Sequence, residues 1–181
     1  VMNEGLIPRR YAKALYKVAV GRGDADLLYG LMNRLVAACS QQPSLAGVIA
    51  NPFVSVADKT GLIVSAAGEG SGNSTLTDFL RLLADNRRLD MVFAIAREYA
   101  ALYRREKGIY KVEVVSAAPL SDSDEKRLKD LINKNLQGGT MEYSSRVNPD
   151  LIGGFTVTID NRKLDASVSN EFKQLRVSLL K

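Results

Sequence analysis

The residue types that most often carry catalysis are scarce in this 181-residue chain. It has no His and a single cysteine, Cys39. A Ser-His-Asp triad, a Cys-His pair, an H-E-x-x-H zinc site and a C₂H₂ finger all need imidazole, so these sites are excluded. One cysteine also excludes an internal disulfide and a four-cysteine metal cluster. Any catalysis would therefore depend on carboxylates, Lys, Tyr and Ser or Thr alone.

Two glycine-rich segments have the composition of phosphate-binding loops but not their spacing. Residues 68–72 read G-x-G-x-G and follow a helical pattern, whereas a dinucleotide loop reads G-x-G-x-x-G and follows a strand. The pair Gly153-Gly154 has no following Lys-Ser/Thr and is not a Walker A loop. The first segment is typical of a loop between helices. We interpret Gly153 and Gly154 as structural glycines at the start of a strand.

The acidic residues do not indicate a metal site. Asp122, Asp124 and Glu125 fall in the first turn of a predicted helix, where carboxylates cap the helix and suit its dipole. A second acidic cluster with suitable spacing is lacking. We therefore predict no catalytic residues, no cofactor-binding residues and no metal ligands.

The net charge of +5 raises nucleic acid as a partner, but the charge is spread thinly. The densest basic positions are pairs, at residues 9–10, 87–88 and 104–105, and no basic cluster interleaved with aromatic residues is present. No stretch approaches the ~18 apolar residues of a membrane span. The first residues lack the apolar core of a secretory signal, so we expect a reducing, cytoplasmic compartment.

Residues 1–106 have the pattern of helices separated by breakers, and we predict a six-helix bundle. Apolar residues recur at helical spacing, and Asp24, Ser55 and Thr75 occupy positions typical of N-caps. Cys39 is expected to be a small buried residue within the second helix. The first two helical stripes consist of Tyr11, Ala14, Leu15, Val18 and Ala19, then Leu27, Leu28, Leu31, Leu35 and Ala38.

The residue pattern changes at residue 107, and residues 107–181 predict a small α/β domain. The predicted fold class is therefore α + α/β. Residues 110–116 alternate between apolar and charged, as in a half-buried strand. Ser121 then caps a helix, and three further strands follow at about residues 140–147, 155–159 and 162–165. A final helix is predicted with an apolar stripe of Val168, Phe172, Leu175 and Leu179.

The first and fifth helices have more apolar surface than one bundle contact needs. Leu6, Ile7 and Tyr11 extend the first helix beyond one narrow stripe, and Leu76 and Leu82 widen the fifth. Such a surplus favours a groove for an amphipathic partner helix. The alternative is that these helices are buried on two sides within the bundle.

Short motifs occur over nearly the whole chain. They are R-R-Y-A-K-A-L-Y at residues 9–16, N-P at 51–52 with Lys59, L-R-L-L-A-D-N-R-R-L at 80–89, S-A-A-P-L-S at 116–121, N-P-D-L-I-G-G-F at 148–155 and D-A-S-V at 165–168. Each is weak alone, but together and in this order they resemble the delta subunit family of F-type ATP synthases, whose mitochondrial homologue is the oligomycin-sensitivity-conferring protein. The departure is Asn148, where the family usually has Asp.

The resemblance implies a non-catalytic peripheral-stalk (stator) subunit that couples proton flow to ATP synthesis. In that family the N-terminal six-helix bundle holds an N-terminal helix of one alpha subunit, and the C-terminal domain contacts the b subunits. Carried over residue by residue, the positions expected to contact the alpha subunit are Tyr11, Ala14, Leu15, Leu82, Leu83 and Asn86. The expected location is peripheral, on the cytoplasmic side of the bacterial inner membrane, with no direct membrane insertion and no nucleic acid.

Two alternatives from other classes stay open at the level of sequence. One is a nucleic-acid-associated basic α+β binding protein, which would show steeply salt-dependent binding to DNA. The other is an enzyme that uses carboxylates or Lys in an interdomain cleft, which would need strongly shifted titratable groups that converge on a pocket.

Overall fold

The computed structural model describes residues 5–68, 73–136, 139–160, 162–168 and 170. It divides into two compact units between Arg104 and Arg105. The described residues form seven α-helices and one four-stranded mixed sheet, which confirms the predicted mixed α/β class. The helices are α1 (Leu6–Arg22), α2 (Ala25–Gln41), α3 (Ser44–Ala50), α4 (Val56–Ala66), α5 (Ser74–Asp85), α6 (Val92–Lys107) and α7 (Asp122–Asn135). The strands are β1 (Ile109–Ser116), β2 (Thr140–Val147), β3 (Gly154–Ile159) and β4 (Arg162–Ser167), and short 3₁₀ turns cover Leu89–Met91 and Pro149–Leu151.

The first unit closes around aliphatic side chains that helical spacing brings to one side of each helix. Leu28, Leu35, Leu80 and Ile95 have no exposed surface. Tyr99 is equally buried, and its hydroxyl donates to the carbonyl oxygen of Ala25 at 3.1 Å, which ties α6 to the start of α2. Burial raises the pKa of the Tyr99 phenol. Because this polar atom has a partner, the tyrosine adds apolar contact to the core without an unsatisfied hydroxyl.

Two predicted caps are confirmed by their hydrogen bonds. Ser55 accepts from the backbone N–H of Asp58 at 3.1 Å and donates to the Asp58 carboxylate at 2.7 Å. Ser121 makes the same pair of bonds with Asp124, at 3.2 and 2.7 Å. Each serine therefore satisfies one of the N–H groups left free at a helix start.

Two other predicted caps make no cap bond: Asp24 lies at the predicted N-cap position, whereas the position predicted for Thr75 is wrong. Asp24 makes no side-chain cap bond at the start of α2 and instead accepts from the side-chain amide of Asn73 at 3.4 Å. Thr75 lies inside α5, where it is buried and accepts from Arg22. Asn73 caps α5 in its place and accepts from the N–H of Leu76 at 2.7 Å.

The apolar stripes predicted for the first two helices are partly wrong. Val18 is 47% exposed and Leu27 is 56% exposed, although both belong to those stripes. In α2, Met32 and Cys39 fill the buried face, as expected for the cysteine. The helical period is correct, but in each helix the buried face is rotated so that part of the predicted stripe lies at the surface.

The second unit is a sheet in the order β2-β1-β3-β4. β1 and β2 are parallel, so the chain must cross over between them, and α7 supplies this connection. β1–β3 and β3–β4 are antiparallel pairs, with Val114 opposite Val157. The core of this unit consists of Val112, Val114, Ile132, Leu136 and Val157. Beyond Val168 and Asn170, the predicted final helix lies outside the described residues, as do residues 69–72 of the first glycine-rich segment.

Candidate partner-binding surface

The two sides of α1 have different environments. Pro8, Ala12, Leu15 and Ala19 repeat at helical spacing and are buried against the rest of the first unit. The residues directly before Ala12, Leu15 and Ala19 are different: Ala14 and Val18 are exposed and Tyr11 is half-buried. The residues predicted as one stripe are therefore two neighbouring stripes, and only one of them faces the core.

Two contacts show that α5 lies antiparallel to α1. At the C-terminal end of α1, Arg22 donates to the hydroxyl of Thr75 at 3.1 Å and to the carboxylate of Asp78 at 2.9 Å. Near the other end of α1, the guanidinium of Arg88, just beyond α5, lies 5.7 Å from the ring centroid of Tyr11, a cation–π contact. The two contacts fix the register between the helices over almost three turns.

From this register we infer that exposed residues of the two helices lie side by side. Leu82 of α5 and its C-cap residue Asn86 follow Asp78 at i+4 and i+8, so they continue the side of α5 that faces α1. Leu82 is 48% exposed, and the side-chain amide of Asn86 donates to the Leu82 carbonyl oxygen at 2.8 Å. We name Tyr11, Ala14 and Val18 of α1 with Leu82 and Asn86 of α5 the α1/α5 strip. It is an apolar surface on two helices held by a closed core.

The six positions carried over from the family motifs fall into two layers. Tyr11, Ala14, Leu82 and Asn86 lie at the surface, in the strip. Leu15 and Leu83 are 3% and 0% exposed and belong to the core beneath it. Val18 also lies in the strip but is not among the six motif positions, although its spacing of i+7 from Tyr11 and i+4 from Ala14 places it on the same side of α1.

Gly153 and Gly154, the two predicted structural glycines, have close neighbours. Gly154 has φ +75°, and a Cβ there would collide with the carbonyl oxygen of Ala166 on β4. A Cβ on Gly153 would lie 3.0 Å from a methyl of Val168. Gly154 thus meets both conditions that select glycine, a left-handed backbone and a close strand. The preceding Ile152 also has a positive φ, +67°, and is 71% exposed.

None of the described residues with a shifted pKa belongs to the α1/α5 strip. Burial and a hydrogen bond to the Asp26 carboxylate at 2.7 Å raise the pKa of Tyr103 to about 12. A hydrogen bond from Ser167 lowers the pKa of Asp165 in β4. Within the described residues, no three His, Cys, Asp or Glu side chains could together hold a metal ion. No helix in that part of the chain has both the length and the apolar character needed to cross a membrane.

Comparison with known proteins gives one consistent result. The family model described as "ATP synthase delta (OSCP) subunit" matches residues 7–179. ATP synthase subunit delta of Parabacteroides distasonis is 36% identical over 99% of this chain and 98% of its own length. ATP synthase subunit 5, mitochondrial, of Yarrowia lipolytica is 30% identical over 91% of this chain and 78% of its own length.

A solved structure shares the fold. It is a chain of the mitochondrial ATP synthase hexamer of Toxoplasma gondii, determined by cryo-electron microscopy. The TM-score is 0.74 at 22% identity, over 96% of this chain and 97% of that chain. Sequence and fold therefore agree over nearly the whole length.

Proposed function

The chain belongs to the ATP synthase delta (OSCP) subunit family, and from this premise we infer that it is a non-catalytic peripheral-stalk subunit of ATP synthase. The family is a structural part of the complex, so the enzyme alternative fails. The nucleic-acid alternative is not favoured by any relative named above. The scarcity of catalytic residue types fits a subunit whose work is mechanical.

We propose that the helices of residues 1–106 act as a six-helix bundle that binds the N-terminal helix of an ATP synthase alpha subunit along the α1/α5 strip. The observation that carries this is the exposure of Ala14, Val18 and Leu82 on two helices in fixed antiparallel register. A partner helix on the α1/α5 strip would remove their apolar surface from water, which stabilises the complex by about 25 cal/mol per Å². Ala14 has a side chain small enough to let a partner helix approach closely. Leu15 and Leu83 would support the strip from beneath.

We propose that the second unit contacts the b subunits. Leu131, Val147, Ile152 and Leu164 are exposed there, from 48% for Val147 to 71% for Ile152. An exposed β-branched residue with a positive φ is unfavourable in the isolated chain, which supports a role for Ile152 in an interface. Family membership supplies the identity of the partner in this proposal.

The proposed mechanical role is to connect the catalytic head to the stalk at two sites. Two docking surfaces on one chain raise the effective concentration of the second contact once the first has formed. Such a connector resists rotation of the head without chemistry, and so couples proton flow to ATP synthesis. The proposed location is peripheral, on the cytoplasmic side of the bacterial inner membrane.

The test is a titration of the full chain with a synthetic peptide covering the N-terminal helix of the cognate alpha subunit. We expect micromolar or tighter binding, and we expect Ala14→Asp or Tyr11→Asp to weaken it at least tenfold. A carboxylate placed in the strip would be desolvated without a partner in the complex.

The matched control is Phe53→Asp, which places the same carboxylate on another exposed apolar residue, 96% exposed and outside α1 and α5. We expect it to bind the peptide as the unaltered chain does. Absence of binding to the unaltered chain would contradict the function proposed for the strip. Equal affinity of the Ala14→Asp variant would contradict the site.

A further inference from the structure

The cations of α1 divide into two groups. The helix has five basic residues and no acidic residue. Arg9 pairs with Glu98 of α6 at 3.2 Å, and Arg22 pairs with Asp78 of α5 at 2.9 Å. Arg10, Lys13 and Lys17 are exposed, and none of the three forms an ion pair with a carboxylate of the described residues. The paired cations join α1 to its neighbours, whereas the unpaired ones do not.

The three unpaired cations lie on one stripe of the helix. Arg10, Lys13 and Lys17 repeat at i, i+3 and i+7, and each precedes a residue of the α1/α5 strip, namely Tyr11, Ala14 and Val18. A displacement of one residue turns the stripe by about 100° around the helix, because the helix has 3.6 residues per turn. The basic stripe therefore runs along the outer border of the strip on the α1 side.

This arrangement is unfavourable for the isolated chain. Like charges at i, i+3 and i+4 destabilise a helix, and cations near its N-terminus oppose the macrodipole. On the α5 side of the strip the exposed charges have both signs, since Arg81 and Asp85 lie one turn apart on that helix. The two borders of the strip thus differ in charge, and only the α1 border has a single sign.

We propose that the occupant of the α1/α5 strip is an amphipathic helix with carboxylates along one flank, and that Arg10, Lys13 and Lys17 select it and fix its rotation by pairing with that flank. This inference rests on the function proposed for the strip and adds the chemistry of the partner. The apolar face of the partner covers Ala14 and Leu82, and its acidic flank lies over the α1 border. Charges at the rim of an interface act mainly on specificity and association rate.

The experiment measures binding of the alpha-subunit peptide to the full chain as a function of salt. The double variant K13E/K17E reverses two rim charges and leaves the strip unchanged. At about 0.02 M salt, where the Debye length is roughly 20 Å, we expect it to bind at least tenfold more weakly. At about 0.5 M, where that length falls to roughly 4 Å, the difference should shrink to about threefold or less.

The control variant is Arg97→Glu, a charge reversal at an exposed position of α6 that makes no ion pair among the described residues. It should bind within twofold of the unaltered chain. A second peptide, with its carboxylates replaced by Lys, should prefer K13E/K17E to the unaltered chain.

The two proposals fail in different ways. Equal binding of K13E/K17E and the unaltered chain at low salt would overturn the charge inference, while loss of binding in Ala14→Asp would still support the strip. An equal loss in Arg97→Glu would overturn it as well, since net charge alone would then explain the effect. Tighter binding of duplex DNA than of the peptide would assign the basic stripe to nucleic acid and overturn the charge inference.

Discussion

The helical unit and the sheet unit bury their apolar side chains to different depths. The largest fully buried side chains of the described residues, such as Tyr99, Met32 and Leu80, all lie in the helical unit. The core of the sheet unit is smaller, and around it lie half-buried residues such as Tyr143 and Phe155. In the helical unit, core and surface are therefore clearly separated. This separation makes the exposed apolar residues of the α1/α5 strip informative about binding.

In the sheet unit the same reasoning is weaker. Its sheet is open, with β2 and β4 as edge strands, and the four large apolar residues exposed in its described part lie at separate places along the chain. Exposure does not define one surface there. What fixes this unit is backbone geometry, above all the close approach of β3 to β4 at Gly154.

The largest expected effect tests this dependence on backbone geometry. Gly154→Val would place a branched side chain at φ +75° against the Ala166 carbonyl. We expect a loss of about 3–4 kcal/mol from the sheet unit, combining left-handed strain with the collision. Hydrogen exchange followed by mass spectrometry would detect it as lost protection in β3 and β4. Unchanged protection in those strands would contradict the role assigned to this glycine.

The next effect is a difference in stability loss between a core residue and a strip residue of α5. Leu80→Ala removes a fully buried side chain of α5 and should cost about 2–5 kcal/mol in urea denaturation. Leu82, two residues away, is 48% exposed. Leu82→Ala should therefore lower the free energy of unfolding by less than about 1 kcal/mol and yet weaken binding of the alpha-subunit peptide. Similar losses of stability in both variants would mean that the strip is part of the core.

The smallest effect is a dependence on pH above 10. The pKa of Tyr103 is raised to about 12, so the unfolded chain releases this proton first, near pH 10. The stability that the protonated Tyr103 phenol contributes is complete below pH 10 and is lost as the pH rises towards 12. We expect a loss of roughly 1 kcal/mol at pH 11. Urea denaturation of the unaltered chain and of Tyr103→Phe would measure it, and identical pH profiles would contradict it.

The local features of the fold were predictable from the sequence, because their causes lie within a few residues. Ser55 and Ser121 cap helices through partners three residues away. β1 has apolar side chains at alternate positions, with Val112 and Val114 buried. Asp24 and Thr75 have equally good local patterns but make no cap bond, and Asn73 and Arg22 contact them from distant parts of the chain.

The candidate site was predictable only in outline. The apolar pattern of α1 does not distinguish Leu15 from Ala14, because both belong to one helical stripe of residues. The packing of the other helices against α1 decides which of them is buried, and the contacts of Arg22 and Arg88 show where α5 lies. The basic stripe beside the strip was visible in the sequence, but its meaning required the knowledge that Arg9 and Arg22 are paired and the other cations are not.

The central claim is that the α1/α5 strip holds the alpha subunit in the assembled enzyme. The most direct test replaces Ala14 with a photoreactive residue, irradiates the intact ATP synthase and identifies the cross-linked peptide by mass spectrometry. We predict a cross-link to the N-terminal helix of an alpha subunit, and none from the same residue placed at Arg97. Cross-linking of position 14 to another subunit, or to none in a fully assembled complex, would contradict the account.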